Sequence, residues 1–174
     1  MYRISIDPGL EGTGLAIWSS YGTENDWRTM EPPTKVMNDI RSMHYTWEYR
    51  LIDICKQIDF EYAKICARGA VTHTYIEWPH YRTDPVGQTA TARGDIYKLS
   101  ALIGAIMQVA SGKYDSMIGL IPVLDWKGQL PKPVVAKRCM ELIDYKRHEK
   151  LAITSHGWDS VGIGLYAKGH RFST

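Results

Sequence analysis

Residues 2–7 (Tyr-Arg-Ile-Ser-Ile-Asp) alternate apolar and polar with period two, which predicts a half-buried strand ending on an acid. Gly9, Gly12 and Gly14 then mark a tight turn, and Leu15-Ala16-Ile17-Trp18 reads as the returning strand of a hairpin. Residues 21–35 are polar, with Trp27 to Met30 as a candidate third strand. From Ser42 to Arg68 the apolar positions Trp47, Leu51, Ile54, Ile58, Tyr62 and Ile65 step by three or four, predicting a long amphipathic helix closed by Gly69. Val71 to Glu77 is a further strand, also ending on an acid. A loop over 78–94, rich in Pro, Thr and Gly, leads to a helix from Asp95 to Ala110. Ile118 to Leu124 reads as a short apolar strand, and Pro131 or Pro133 suits the first turn of a basic helix reaching Tyr145. Ser155 is placed to cap a last helix running to Lys168. Hairpin strands followed by alternating strands and helices predict an α/β fold, a mixed sheet covered by helices.

No repeat, low-complexity tract or linker divides the chain, so residues 1–174 are expected to form one domain. A hydrophobic content of 44% with 23% charged residues excludes a disordered chain. No apolar run approaches the roughly 18–20 residues that a membrane helix needs, and the first residues carry no secretory signal pattern. Cys55, Cys66 and Cys139 form no C-x-x-C pair, which excludes a zinc ribbon and points to a reducing, cytoplasmic setting.

The net charge of +2 is unevenly spread: residues 1–77 carry −3 and residues 78–174 carry +5. Seven basic residues fall within 127–150, among them Lys127, Lys132 and Lys137, against three acidic ones. Such a region suits a polyanionic partner, and it equally suits a solvated helix face.

Asp7 and Glu77 end strands, and Asp159 is expected in the first turn of the last helix. In an open α/β sheet, sites gather where strands end and helices begin. Carboxylates crowded together need a proton or a cation, and hard oxygen ligands suit Mg²⁺ or Mn²⁺. Two such ions about 3.5–4 Å apart can activate water on one side of a phosphate and steady the leaving oxygen on the other. His156 and Asp159, spaced i, i+3, share a helix face. The helix dipole is expected to keep Asp159 ionised and His156 neutral, so the imidazole can bind metal or take a proton from water. Each acid taken singly also fits a turn or a helix-end charge, and Asp125, which follows a strand, is a spare acid.

Ile4-Ser5-Ile6-Asp7-Pro8-Gly9 with Gly12-Thr13-Gly14, then Tyr75-Ile76-Glu77, then His156-Gly157-Trp158-Asp159-Ser160 with Gly162-Ile163-Gly164 together resemble the RuvC-type Holliday-junction resolvases of the ribonuclease H-like superfamily. The resemblance implies a five-stranded mixed sheet flanked by helices, and a homodimer that nicks four-way DNA junctions with Mg²⁺. It implies that Asp7, Glu77, His156 and Asp159 are the catalytic and metal-binding residues. Where the family carries an aromatic or apolar wedge, shortly past the glutamate, this chain has His80 beside Tyr81, the wording of a divergent member of phage or organelle type.

The 78–94 loop brings Trp78, His80, Tyr81, Arg82 and Arg93 near the expected site, a set able to stack on unpaired bases and hold phosphates. Trp78 and Tyr81 fit a buried role equally well. Lys127 and Lys132 flank the turn Gly128-Gln129-Leu130-Pro131, a place suited to backbone phosphates, whereas Trp18, Trp47 and Trp126 read as core. Gly162 and Gly164 cost a helix roughly 1 kcal/mol each relative to Ala, a cost that close approach to the sheet would offset. Beside a junction resolvase stand three other readings: a ribonuclease H-like nuclease for flaps, branched DNA or RNA–DNA hybrids, an actin- or hexokinase-type ATPase, and an inactive junction-binding protein.

Overall fold

The computed structural model describes residues 1–19, 33–79, 93–143 and 153–172. Strands β1 (Tyr2–Asp7) and β2 (Thr13–Ser19) form the expected antiparallel hairpin, with Asp7 opposite Gly14. β3 (Lys35–Ile40) pairs antiparallel with β2. Helix α1 (Trp47–Cys66) leads to β4 (Val71–Trp78), which runs parallel to β1. Helix α2 (Asp95–Met107) continues as a π-helical turn over Gln108–Lys113 into β5 (Met117–Pro122), parallel to β4. A short helix α3 (Val123–Trp126), helix α4 (Lys132–Leu142) and helix α5 (Ser155–Ala167) follow. The result is a five-stranded mixed sheet in the order β3-β2-β1-β4-β5, flanked by helices.

Each face of the sheet carries its own core. Ile4, Ile6, Leu15 and Ile17 meet the apolar stripes of α1 (Ile54, Ile58, Tyr62, Ile65) and α2 (Leu102, Ile103, Ile106). On the opposite face Ala16 and Trp18 meet α4 and α5 through Val135, Cys139, Val161 and Leu165. β1 is therefore buried on both faces rather than one. Its polar positions satisfy themselves inside: the Ser5 hydroxyl donates to the Ser160 carbonyl (2.7 Å) and accepts from the Trp18 indole N–H (2.8 Å). Ser5 thereby ties α5 to the sheet.

The glycines of α5 act as expected. A Cβ at Gly162 would stand 2.4 Å from the Trp126 ring, and one at Gly164 would stand 2.3 Å from the Trp18 ring. The helix lies against two indoles because it lacks side chains there.

Several boundaries differ from the sequence reading. α1 starts at Trp47 rather than Ser42, and Met43 and Tyr45, the apolar residues just before it, stay exposed and bury nothing. Trp47 itself is half-buried instead of core, lining an open cavity of about 740 Å³ beside Pro8, Gly9, Tyr45 and Arg50. β5 ends at Pro122, where the chain turns into α3 and leaves Leu124 exposed. Thr154, not Ser155, occupies the cap position of α5. The candidate strand at Trp27–Met30 and the expected end of α4 at Tyr145 lie outside the described residues.

Candidate active site

The C-terminal ends of β1 and β4 lie side by side, since Ile6 pairs with Ile76. That register places Asp7 and Glu77 at the same end of the sheet, next to each other. The turn after Asp7 is clasped by Thr13, whose hydroxyl donates to the Gly9 carbonyl (2.9 Å) and accepts from the Gly9 N–H (3.2 Å). The start of α5 rests directly on this hairpin: a Cβ on Gly14 would fall 2.0 Å from the His156 carbonyl oxygen. Only glycine fits there. That approach brings the His156 imidazole to Asp7, with Nδ1 2.8 Å from Oδ2. A neutral imidazole donating from Nδ1 keeps a lone pair on Nε2.

Asp159 lies one helical turn beyond His156 and is 2% exposed. It sits past the first turn of α5, not within it. The helix N-terminus therefore does little for it, and burial with the charge of Asp7 raises its pKa against the pull of Lys127. Burial, with the charges of Asp7 and Asp159, likewise pushes Glu77 up to about 7, although Lys127 and the Trp126 N–H pull the other way.

Lys127 stands among these acids. Its ammonium lies 3.1 Å from Asp159 Oδ2 and 3.3 Å from Glu77 Oε2. Burial alone would depress its pKa, but Glu77, Asp159 and Asp7 outweigh burial and raise it. Trp126, expected only as core, is fully buried and donates its indole N–H to Glu77 Oε2 (2.9 Å). The sequence signal for that role is general: a buried tryptophan needs an acceptor for its N–H.

Lys132 is half exposed, its ammonium 3.9 Å from Asp159 Oδ2. Lys137 is exposed on α4, and Arg93 is exposed just before α2. Asp125 is exposed on α3. His80, Tyr81 and Arg82 lie outside the described residues.

No family model matches the chain, and no curated protein sequence does. Solved structures do. A Thermus thermophilus RuvC structure is similar over 97% of this chain and 96% of its own, with a TM-score of 0.65 and 18% identity. T. thermophilus RuvC in complex with a Holliday junction substrate gives 0.64 at 17% identity over the same shares. The fowlpox virus Holliday junction resolvase gives 0.55 at 15% identity, over 97% of this chain and 98% of its own. The fold is ribonuclease H-like.

A divalent ion would find hard donors at this end of the ribonuclease H-like sheet: the carboxylates of Asp7, Glu77 and Asp159, with the His156 imidazole beside them. The donor set fits Mg²⁺ or Mn²⁺. One ammonium already touches both Glu77 and Asp159, so their oxygens are within reach of a single cation. As the side chains stand, no three acidic, histidine or cysteine groups among the described residues surround a common point. Closing them around an ion therefore requires side-chain rotation.

Proposed function

We propose that this chain is a structure-selective endodeoxyribonuclease that resolves four-way DNA junctions by paired, divalent-metal-dependent phosphodiester hydrolysis, leaving 5′-phosphate ends. The observation that carries the reading is the meeting of Asp7, Glu77, His156 and Asp159 at one end of a ribonuclease H-like sheet. The solved structures of this fold include two with Holliday junction DNA.

Asp7, Glu77 and Asp159 would hold Mg²⁺ or Mn²⁺, two ions per site, with His156 as a further ligand or as the group positioning the attacking water. Bound there, the metal would lower the pKa of water and neutralise charge on the phosphate. The protein's own part is orientation. Trp126 fixes Glu77 through Oε2, and His156 fixes Asp7 through Oδ2. These two hydrogen bonds limit how far Glu77 and Asp7 can turn, so the rotation that closes the acids around an ion is a short one.

Lys127, Lys132, Lys137 and Arg93 are the residues proposed to meet DNA phosphates, and His80, Tyr81 and Arg82 to meet the branch point. A four-way junction has approximate two-fold symmetry and needs two nicks, while each chain supplies one site. An isologous homodimer of single-domain chains (residues 1–174) meets that demand. The three cysteines are unpaired, and no helix among the described residues is long and apolar enough to cross a membrane. These features suit a cytoplasmic enzyme.

The test is a side-by-side cleavage of a labelled four-way junction, a flap and an RNA–DNA hybrid in Mg²⁺. The junction should be cut fastest, in two strands of like polarity. Faster cutting of the flap or the hybrid would assign the chain to another ribonuclease H-like activity.

A further inference from the structure

The same oxygens that a metal would use are already occupied. The Lys127 ammonium contacts Asp159 Oδ2 and Glu77 Oε2, and its side chain is only 15% exposed. It also lies 4.7 Å above the ring of Trp126, the residue that orients Glu77. The backbone supports this placement. At the end of α3 the Lys127 N–H donates to the carbonyl of Val123, the helix's first residue, and Gly128 follows with φ of 56°, so the chain reverses immediately after the lysine. By contrast Lys132, on α4, is half exposed and reaches Asp159 only at 3.9 Å. The two lysines are not equivalent: one is built into the acid cluster and one stands at its rim.

Buried carboxylates that share a site require a compensating positive charge. In the metal-free protein Lys127 provides it. A divalent ion bonded at about 2.1 Å to those oxygens would lie against the ammonium, where both steric exclusion and like charge forbid joint occupancy. Metal entry and the lysine's ion pairs are therefore mutually exclusive at Glu77 Oε2 and Asp159 Oδ2.

We infer that Lys127 is an internal counter-cation that holds the Glu77 and Asp159 carboxylates together in the metal-free protein and must be displaced when a divalent ion binds. The inference rests on the metal-dependent reading above and deepens it: the lysine sets how tightly the site takes its metal. Because its four-carbon stem is flexible and its ammonium is held only by side-chain contacts, a charge-assisted hydrogen bond to Asp159, an ion pair with Glu77 and the Trp126 ring, Lys127 can leave without moving the backbone.

The test is Mn²⁺ titration of the full chain without DNA, by calorimetry and by electron paramagnetic resonance of free Mn²⁺, at fixed pH. Lys127→Met keeps the apolar stem over Trp126 and removes the charge. It should bind Mn²⁺ about tenfold more tightly than the wild type, the scale of one charge-assisted hydrogen bond that no longer has to be broken. The same variant should melt at a lower temperature without metal and show a larger rise in Tm when Mn²⁺ is added. Lys127→Arg keeps a competing cation and should bind Mn²⁺ no more tightly than the wild type. A lysine with a merely structural role would weaken metal binding in both variants, in step with reduced stability. Equal or weaker Mn²⁺ binding by Lys127→Met, with the wild type still binding, overturns the lysine's role and leaves the metal reading standing. No Mn²⁺ binding by either protein overturns both.

Discussion

His156 Nδ1 lies 2.8 Å from Asp7 Oδ2 although 149 residues separate the two in sequence. The pair meets because Gly14 lets the start of α5 settle on the hairpin that follows Asp7. Sheet end and last helix thus form one chemical unit, and the activity should respond to either side of it.

Replacing Asp7 by Asn preserves shape but removes the charge that a divalent ion needs. Cleavage should fall by roughly three orders of magnitude, the scale of losing a central electrostatic stabiliser, while junction affinity stays within a few-fold. Single-turnover cleavage and a gel-shift titration measure the two separately. Mg²⁺-dependent cutting that survives at the wild-type rate removes Asp7 from the site.

His156→Ala leaves Asp7 without its orienting partner. The expected loss is about 10–100-fold in turnover, as for groups that position a metal ligand, with a smaller loss in DNA affinity. If affinity falls more than turnover, His156 is a DNA-binding residue instead.

Gly14→Ala tests the seat of α5. A methyl group 2.0 Å from the His156 carbonyl must push the helix away. Overpacking of this kind costs about 1–3 kcal/mol, which a shifted urea midpoint would report. Cleavage should drop by more than the folded fraction does. Unchanged stability and activity would show that the approach is not tight.

Glu61 gives a pH signature away from the site. It is 5% exposed, and Lys35 and Lys64 bond its two carboxylate oxygens at 2.7 and 3.0 Å. Burial alone would raise its pKa, but the two lysines prevail and lower it. A depressed folded pKa contributes stability above the unfolded carboxylate value, about 4.3, and that stability disappears as pH falls through the folded value. Glu61→Gln should therefore destabilise by about 1 kcal/mol at pH 7 and flatten the acid limb of the stability curve. Parallel acid limbs for wild type and variant would contradict the assignment.

Lys132 and Lys137 are both exposed on α4, and the Lys132 ammonium lies 3.9 Å from Asp159 Oδ2. Changing both to Glu should weaken junction binding and reduce the slope of log K against log salt by about 2, close to one for each phosphate that is no longer neutralised. An unchanged slope would take them off the phosphate track.

Much of the fold is legible in the sequence because its periodicities are strong. The step of three or four from Leu51 to Ile65 marks the face of α1, and the acids Asp7 and Glu77 stand out at or beside the ends of the segments that read as strands. Burial on the second face of β1 is not legible. Ser5 reads as a solvent position until Ser160 and Trp18 are known to lie against it. β3 escapes a pattern reading because Lys35 to Ile40 mixes polar and apolar residues without alternation, and its pairing with β2 decides it. In the site, the acids and His156 can be found from spacing. The contacts of Lys127 with the acids and the bond from Trp126 to Glu77 are not legible, since only tertiary structure shows that the end of α3 folds over Glu77.

The most direct measurement is an end analysis of a synthetic four-way junction with every strand labelled, incubated with the protein in Mg²⁺ and in chelator. Metal-dependent resolution predicts symmetric paired nicks, ends that ligase reseals without prior treatment because they carry 5′-phosphates, and no nicks in chelator. Junction cleavage that proceeds in chelator, or an intact junction in both Mg²⁺ and Mn²⁺ despite tight binding, would contradict it.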